Sequence, residues 1–219
     1  PRHWTVCRTE HLESVRKSET LKRFVGQMTK LTLFKLTQFS RILYLDADTI
    51  VVGDVTPLFQ SLRSPTQMIA GPQDVSYTGA LTNTFNCGVL LIKPDAAVFR
   101  IAKGMFIGNK LRYDPQAGDQ GFLNAVFRLP RRAAFMAGVG NLATLAWNLK
   151  EWHRGVPYVV LHFTIFKPWK CLKHVDPKFA RVCQHAISLY ASQENRTKGL
   201  LRSPETKAGA FRAGFGGDV

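Results

Sequence analysis

A chain of 219 residues, 45% hydrophobic and 11% aromatic, is long and apolar enough to bury one substantial core, which excludes a disordered chain and makes one main domain the default. Thirty Lys and Arg against fifteen Asp and Glu give +15, a balance that suits phosphate-bearing partners. Because the basic residues form neither a like-charge block nor a stripe interleaved with aromatics, no nucleic-acid partner is expected and most of the charge reads as solvated surface.

In chain order, residues 29–39 carry Leu33, Leu36 and Phe39 at helical spacing, with Leu31 and Phe34 beside them, and predict a helix with one apolar face. Arg41 to Leu45 is a short β-rich run that predicts a buried strand ending at Asp46. Thr56-Pro57 reads as an N-cap with proline at the first helical position, so a brief helix follows. Met68 to Ala70 predicts a short strand, Phe85 to Ile92 a strand interrupted by Gly88, and Pro94 to Phe106 a helix. Further helices are predicted over Asp119 to Phe127 and Asp176 to Tyr190, with a strand over Val156 to Phe163 between them. This alternation argues for an α/β layer fold, and the Gly-, Lys- and Ser-rich composition beyond about Gln193 predicts a mobile tail.

No stretch reaches the ~18 consecutive apolar residues of a membrane span. Cys7, Cys87, Cys171 and Cys183 lack zinc-type spacing; a Cys171–Cys183 bridge is sterically allowed, but buried free thiols are the expected state. The sequon Asn195-Arg196-Thr197 has meaning only in a chain that enters the secretory route.

The sharpest local feature is Tyr44-Leu45-Asp46-Ala47-Asp48-Thr49. Side chains alternate along a strand, so Asp46 and Asp48 emerge on one side and can share a cation; without one, two carboxylates that close repel. Hard oxygen ligands at a strand end favour Mg²⁺ or Mn²⁺, which can neutralise charge on a departing diphosphate. In His162-Phe163-Thr164-Ile165-Phe166-Lys167-Pro168-Trp169, a neutral imidazole offers a third ligand and Lys167 a cation for a phosphate oxygen. Plainer roles stand beside these: Asn86 can satisfy backbone groups, Asp119 can cap a helix, and Trp147 and Trp152 can pack the core.

Lys30-Leu31 to Phe39, Asp46-Ala47-Asp48, Phe85-Asn86-Cys87-Gly88-Val89, Gly118-Asp119-Gln120-Gly121 and His162 to Trp169 occur in the order found in glycogenin-like glycosyltransferases, which the chain resembles over about residues 22–170. The resemblance implies a GT-A fold, a Rossmann-like mixed α/β sheet flanked by helices. It implies Mn²⁺, or alternatively Mg²⁺, on Asp46, Asp48 and His162, with Lys167 on the donor diphosphate. Lys30, Asp74, Asn86, Gly118, Asp119 and Gln120 would line the sugar pocket, Asp119 and Gln120 nearest the chemistry. The implied reaction moves a hexose from a UDP-sugar to a glycan, inositol or inositol-lipid acceptor with retention. Asp119 as nucleophile and front-side attack both stay open.

The resemblance further implies an N-terminally truncated catalytic domain, starting after the strand and helix that hold uracil and ribose; with the composition beyond it, the expected division is a catalytic domain over 1–192 and a flexible basic, Gly-rich tail over 193–219. A homodimer and a membrane anchor outside this segment are compatible with it. Two departures matter: Gln116 stands where the family often has an acid, and 141–153 holds no tyrosine, so self-glucosylation is not expected. Leu45-Asp46-Ala47-Asp48-Thr49 also resembles the D-x-D-x-T loop of haloacid-dehalogenase-type phosphatases, although the later acidic pair they need is missing. A non-catalytic fragment binding polyanions or nucleotides is the other alternative.

Overall fold

The computed structural model describes residues 7–13, 26–76, 80–128, 131–141, 158–164, 167 and 180–202. The chain divides into two units, Arg8–Ile165 and the discontinuous Pro1–Cys7 with Phe166–Val219. The first unit holds strands β1 (Ile42–Leu45), β2 (Thr49–Val51), β3 (Ile69–Gly71), β4 (Gln73–Val75), β5 (Leu81–Phe85), β6 (Val89–Ile92), β7 (Ala133–Phe135), β8 (Val139–Asn141) and β9 (Val160–His162), with helices α1 (Ala96–Ile107) and α2 (Gly118–Val126). In the second unit, helix α3 spans Ala180–Arg202.

A four-stranded mixed sheet of order β1-β6-β3-β7 forms the centre; β6 runs antiparallel to both neighbours, and β3 pairs with β7 in parallel. The run Val-Leu-Leu-Ile of β6 is buried throughout because both faces of the sheet are covered. Leu90 and Ile92 face one apolar cluster with Leu31, Phe34, Phe99, Phe106, Phe122 and Phe127. Val89 and Leu91 face the other, with Leu58, Leu62, Met136, Val139 and Val160. Strand periodicity of two thus sorts one short segment into two cores. A second sheet, β2-β9-β8, and a β4-β5 hairpin complete the unit.

Local chemistry accounts for most boundaries. Asp95 caps α1 by accepting from the N–H of Ala97 at 2.7 Å and Val98 at 3.0 Å, and Phe99, Ala102 and Phe106 supply its buried stripe. Phe34 stacks on Phe127 at 5.2 Å between ring centroids, and Phe106 meets Phe122 edge-on at 5.3 Å. Gly118 opens α2 at φ +60°, a conformation open to glycine and strained for residues with a Cβ.

Several expectations need correction. The helix predicted over 29–39 is a 3-10 helix, Gln27–Lys35. Its buried residues Met28, Leu31 and Phe34 sit three apart, matching three residues per turn, while Phe39 is exposed. Phe85 to Ile92 is two strands in different sheets, split at Asn86–Gly88. α3 continues through 193–202, so that part of the predicted tail is helical. Cys87 is a buried free thiol as expected, but Cys183 is disulfide-bonded; sequence spacing carries no measure of Cβ separation, which decides whether a bridge forms. Trp147, Trp152, Trp169 and the segment 203–219 lie outside the described residues. Among the described residues no helix is long and apolar enough to cross a membrane.

Candidate active site

Strand register brings the chemistry-bearing side chains together. β1 pairs with β6 so that Leu45 faces Val89, which places the next residue, Asp46, opposite Gly88; the Asp46 N–H donates to the Gly88 carbonyl at 2.7 Å. β1 ends there, and Asp46 to Asp48 turn the chain into β2, with the Thr49 hydroxyl donating to the Asp46 carbonyl at 2.8 Å. The two carboxylates therefore converge through a turn and not through alternation along one strand. β2 then pairs with β9 so that Thr49 faces His162, and the Phe163 N–H donates to the Asp48 carbonyl at 2.9 Å.

His162 Nε2 consequently lies 3.4 Å from Asp48 Oδ1 and 3.9 Å from Asp46 Oδ2. One ligand atom from each of the three residues lies within 4.8 Å of the others. The imidazole is 5% exposed and rests on the backbone of Gly88, where a Cβ would stand 1.9 Å from His162 Cε1. Only glycine leaves room for the ring. Sequence reading took Gly88 as a strand interruption; a glycine within an apolar strand is also the signal for close approach of another group.

Lys30 reaches in from the 3-10 helix, its Nζ 2.7 Å from Asp119 Oδ2 and 3.1 Å from Asp46 Oδ1, and donates to the Cys87 carbonyl at 3.0 Å. Burial alone would lower its pKa, but the carboxylates of Asp119 and Asp46 outweigh burial and hold it above the usual lysine range. Asp119 is 5% exposed; burial raises its pKa, and Lys30 offsets only part of that. Its Oδ1 accepts from the Gln120 N–H at 3.0 Å, and the cap position of α2 belongs to Ala117, so Asp119 is not the helix cap. Tyr44, absent from the sequence-based set, donates its hydroxyl to Asp46 Oδ1 at 2.5 Å with Lys30 Nζ 5.0 Å from its ring.

A second polar group adjoins through Gln120, whose side-chain carbonyl accepts from the Cys87 N–H at 3.3 Å and whose amide donates to Asp74 Oδ2 at 2.6 Å. Asn141, also outside the predicted set, donates to Asp74 Oδ1 at 3.4 Å. Asn86 accepts from the Gly88 N–H at 2.9 Å, which makes the backbone role its observed contact. Gly118 is buried at the start of α2, one residue before Asp119. Lys167 belongs to the second unit.

The donor set fits a divalent cation. Two carboxylates and an imidazole converge where Lys30 is the cation seen paired with Asp46, and oxygen with one nitrogen suits Mn²⁺ or Mg²⁺ better than thiophilic ions.

The model of the family Glycosyl transferase family 8 matches residues 11–172, which takes in all of these residues. The chain belongs to glycosyl transferase family 8. Relatives within reach of this family 8 chain include UDP-glucuronate:xylan alpha-glucuronosyltransferase 2 of Arabidopsis thaliana, 30% identical over 68% of this chain and 24% of that protein. Glycosyltransferase GlyB of Streptococcus pneumoniae is 33% identical over 62% of this chain and 36% of the relative. Inositol phosphorylceramide glucuronosyltransferase 1 of Arabidopsis thaliana is 32% identical over 48% and 17%. This family 8 chain spans about a quarter of the length of the xylan glucuronosyltransferases it matches. Among solved structures, the apo form of glycosyltransferase GlyE from Streptococcus pneumoniae superposes with a TM-score of 0.51 at 19% identity, over 75% of this chain and 46% of that one. The fold is that of the GT-A glycosyltransferases. Family membership sets aside the dehalogenase-type phosphatase alternative.

Proposed function

We propose that this family 8 chain carries the metal-dependent transfer centre of a retaining glycosyltransferase, which moves a hexose from a UDP-sugar to a glycan, inositol or inositol-lipid acceptor. The carrying observation is the convergence of Asp46, Asp48 and His162 within 4.8 Å, beside the buried Lys30–Asp119 pair. The names of the relatives support UDP-glucuronate among donors and xylan or an inositol phosphorylceramide among acceptors.

In this reading Asp46, Asp48 and His162 hold Mn²⁺, which supplies charge neutralisation for the leaving diphosphate. Lys30 keeps Asp46 and Asp119 in place by pairing with both. Lys30 Nζ lies 2.7 Å from Asp119 Oδ2 and the Gln120 N–H donates to Oδ1 at 3.0 Å, which holds the carboxylate in place for its role in the sugar pocket. Asp74 and Gln120 present polar edges suited to sugar hydroxyls, and Lys167 is assigned to the diphosphate. Glycogenin-like kinship and dimerisation belong to the same proposal.

The test is UDP release from UDP-glucose, UDP-galactose and UDP-glucuronate with Mn²⁺ present. Release is expected with at least one donor, and Asp48→Asn is expected to lower it by about 100-fold or more, the weight of a lost metal contact. Equal turnover by that variant defeats the assignment.

A further inference from the structure

The carboxylate of Asp74 is held by a chain of side-chain hydrogen bonds that runs back to the strand carrying His162. From Oδ2 the chain passes to the Gln120 amide at 2.6 Å; from Oδ1 it passes to the Asn141 amide at 3.4 Å, and the Asn141 carbonyl accepts from the Thr164 hydroxyl at 2.7 Å. Asn141 is 2% exposed and ends β8, in parallel register with His162 of β9; Thr164 sits two residues beyond His162, its N–H on the His162 carbonyl at 3.0 Å. Asp74 only accepts, so the NH₂ of the buried Asn141 amide must face it; the Asn141 carbonyl then faces Thr164, whose hydroxyl donates to it and holds the amide in place. With the Thr164 hydroxyl lost, the buried Asn141 carbonyl loses this donor, and the amide that donates to Asp74 loses the contact that holds it in place.

We infer that Asn141 and Thr164 are positioning residues for the donor sugar: they fix the orientation of Asp74 and tie it to the segment bearing the metal-ligating histidine. The inference rests on the sugar-pocket role proposed for Asp74. It predicts that losing the Thr164 hydroxyl weakens binding of the sugar portion and leaves binding of the nucleotide portion alone.

The experiment compares Mn²⁺-dependent binding of UDP and of a UDP-sugar by calorimetry, in the intact chain and in Thr164→Val, Thr164→Ser and Asn141→Asp. Thr164→Val, nearly isosteric, is expected to weaken UDP-sugar binding about 2- to 10-fold, the weight of one ordinary hydrogen bond, with UDP binding unchanged. Thr164→Ser should restore it, and Asn141→Asp, which faces Asp74 with a second carboxylate, should weaken it further. Equal UDP-sugar affinity in Thr164→Val, an equal loss for UDP and UDP-sugar, or a loss that serine fails to recover each overturns the assignment. Failure of the unaltered chain to bind UDP with Mn²⁺ removes the parent reading, and this one with it; UDP binding with no effect of Thr164→Val removes this one alone.

Discussion

Gly88 contributes no side chain, yet the imidazole of His162 occupies the space a Cβ would need. Gly88→Ala is therefore expected to push the ring off the carboxylates and weaken Mn²⁺ binding by about 10- to 100-fold, the range seen when groups that orient ligands are disturbed; titration followed by electron paramagnetic resonance checks it. Lys30 and Asp119 form a buried pair whose members are each nearly inaccessible. Removing one partner strands the other, so Lys30→Met is expected to cost about 3–5 kcal/mol in urea denaturation, and Lys30→Met with Asp119→Asn to cost less than Lys30→Met alone. The aspartates and the histidine were legible in sequence because their chemistry is unusual and their neighbours apolar. Asn141, Thr164 and Tyr44 were not, since an amide, a hydroxyl and a phenol are common surface residues whose partners lie far away in the chain.

Among the elements, α1 illustrates how local chemistry sets a boundary. Asp95 accepts from two of the first N–H groups, so Asp95→Ala is expected to lower stability by about 1 kcal/mol, visible as a lowered thermal midpoint, while Asp95→Asn should cost little. Strongly patterned segments were readable in advance: β1, β6 and α1 fall within or beside their predicted spans because each carries an uninterrupted apolar signal. The three-residue strands β2, β4, β7 and β8 were not foreseen, since runs of that length hold at most one full alternation and pattern cannot separate them from loop. The 3-10 helix at Gln27–Lys35 shows a different difficulty. Leucines and phenylalanines there satisfy both a 3.6- and a three-residue period, and packing against α1 and α2 decides between them.

At the scale of the whole molecule, the ligand set draws on two sheets, with Asp46 leaving β1 of the four-stranded sheet and His162 belonging to β9 of the three-stranded one. A cation bound there would link them, so Mn²⁺ is expected to raise the unfolding midpoint and EDTA to return it; at a hundred times its dissociation constant the gain is about 2.7 kcal/mol. Asp46→Asn and His162→Ala should abolish the shift, and a midpoint indifferent to Mn²⁺ would contradict the site. The mixed α/β class and its glycosyltransferase family were readable from five short motifs in order. The division into units was not, because Phe166 opens the second unit inside one of those motifs, with no change of composition to mark it.

The phenol of Tyr44 rests its hydroxyl on Asp46. An ion taking electron density from that carboxylate alters the phenol's surroundings directly, which turns Tyr44 into a built-in optical reporter: its near-ultraviolet absorption band should shift as Mn²⁺ is added, and the shift should vanish in Tyr44→Phe.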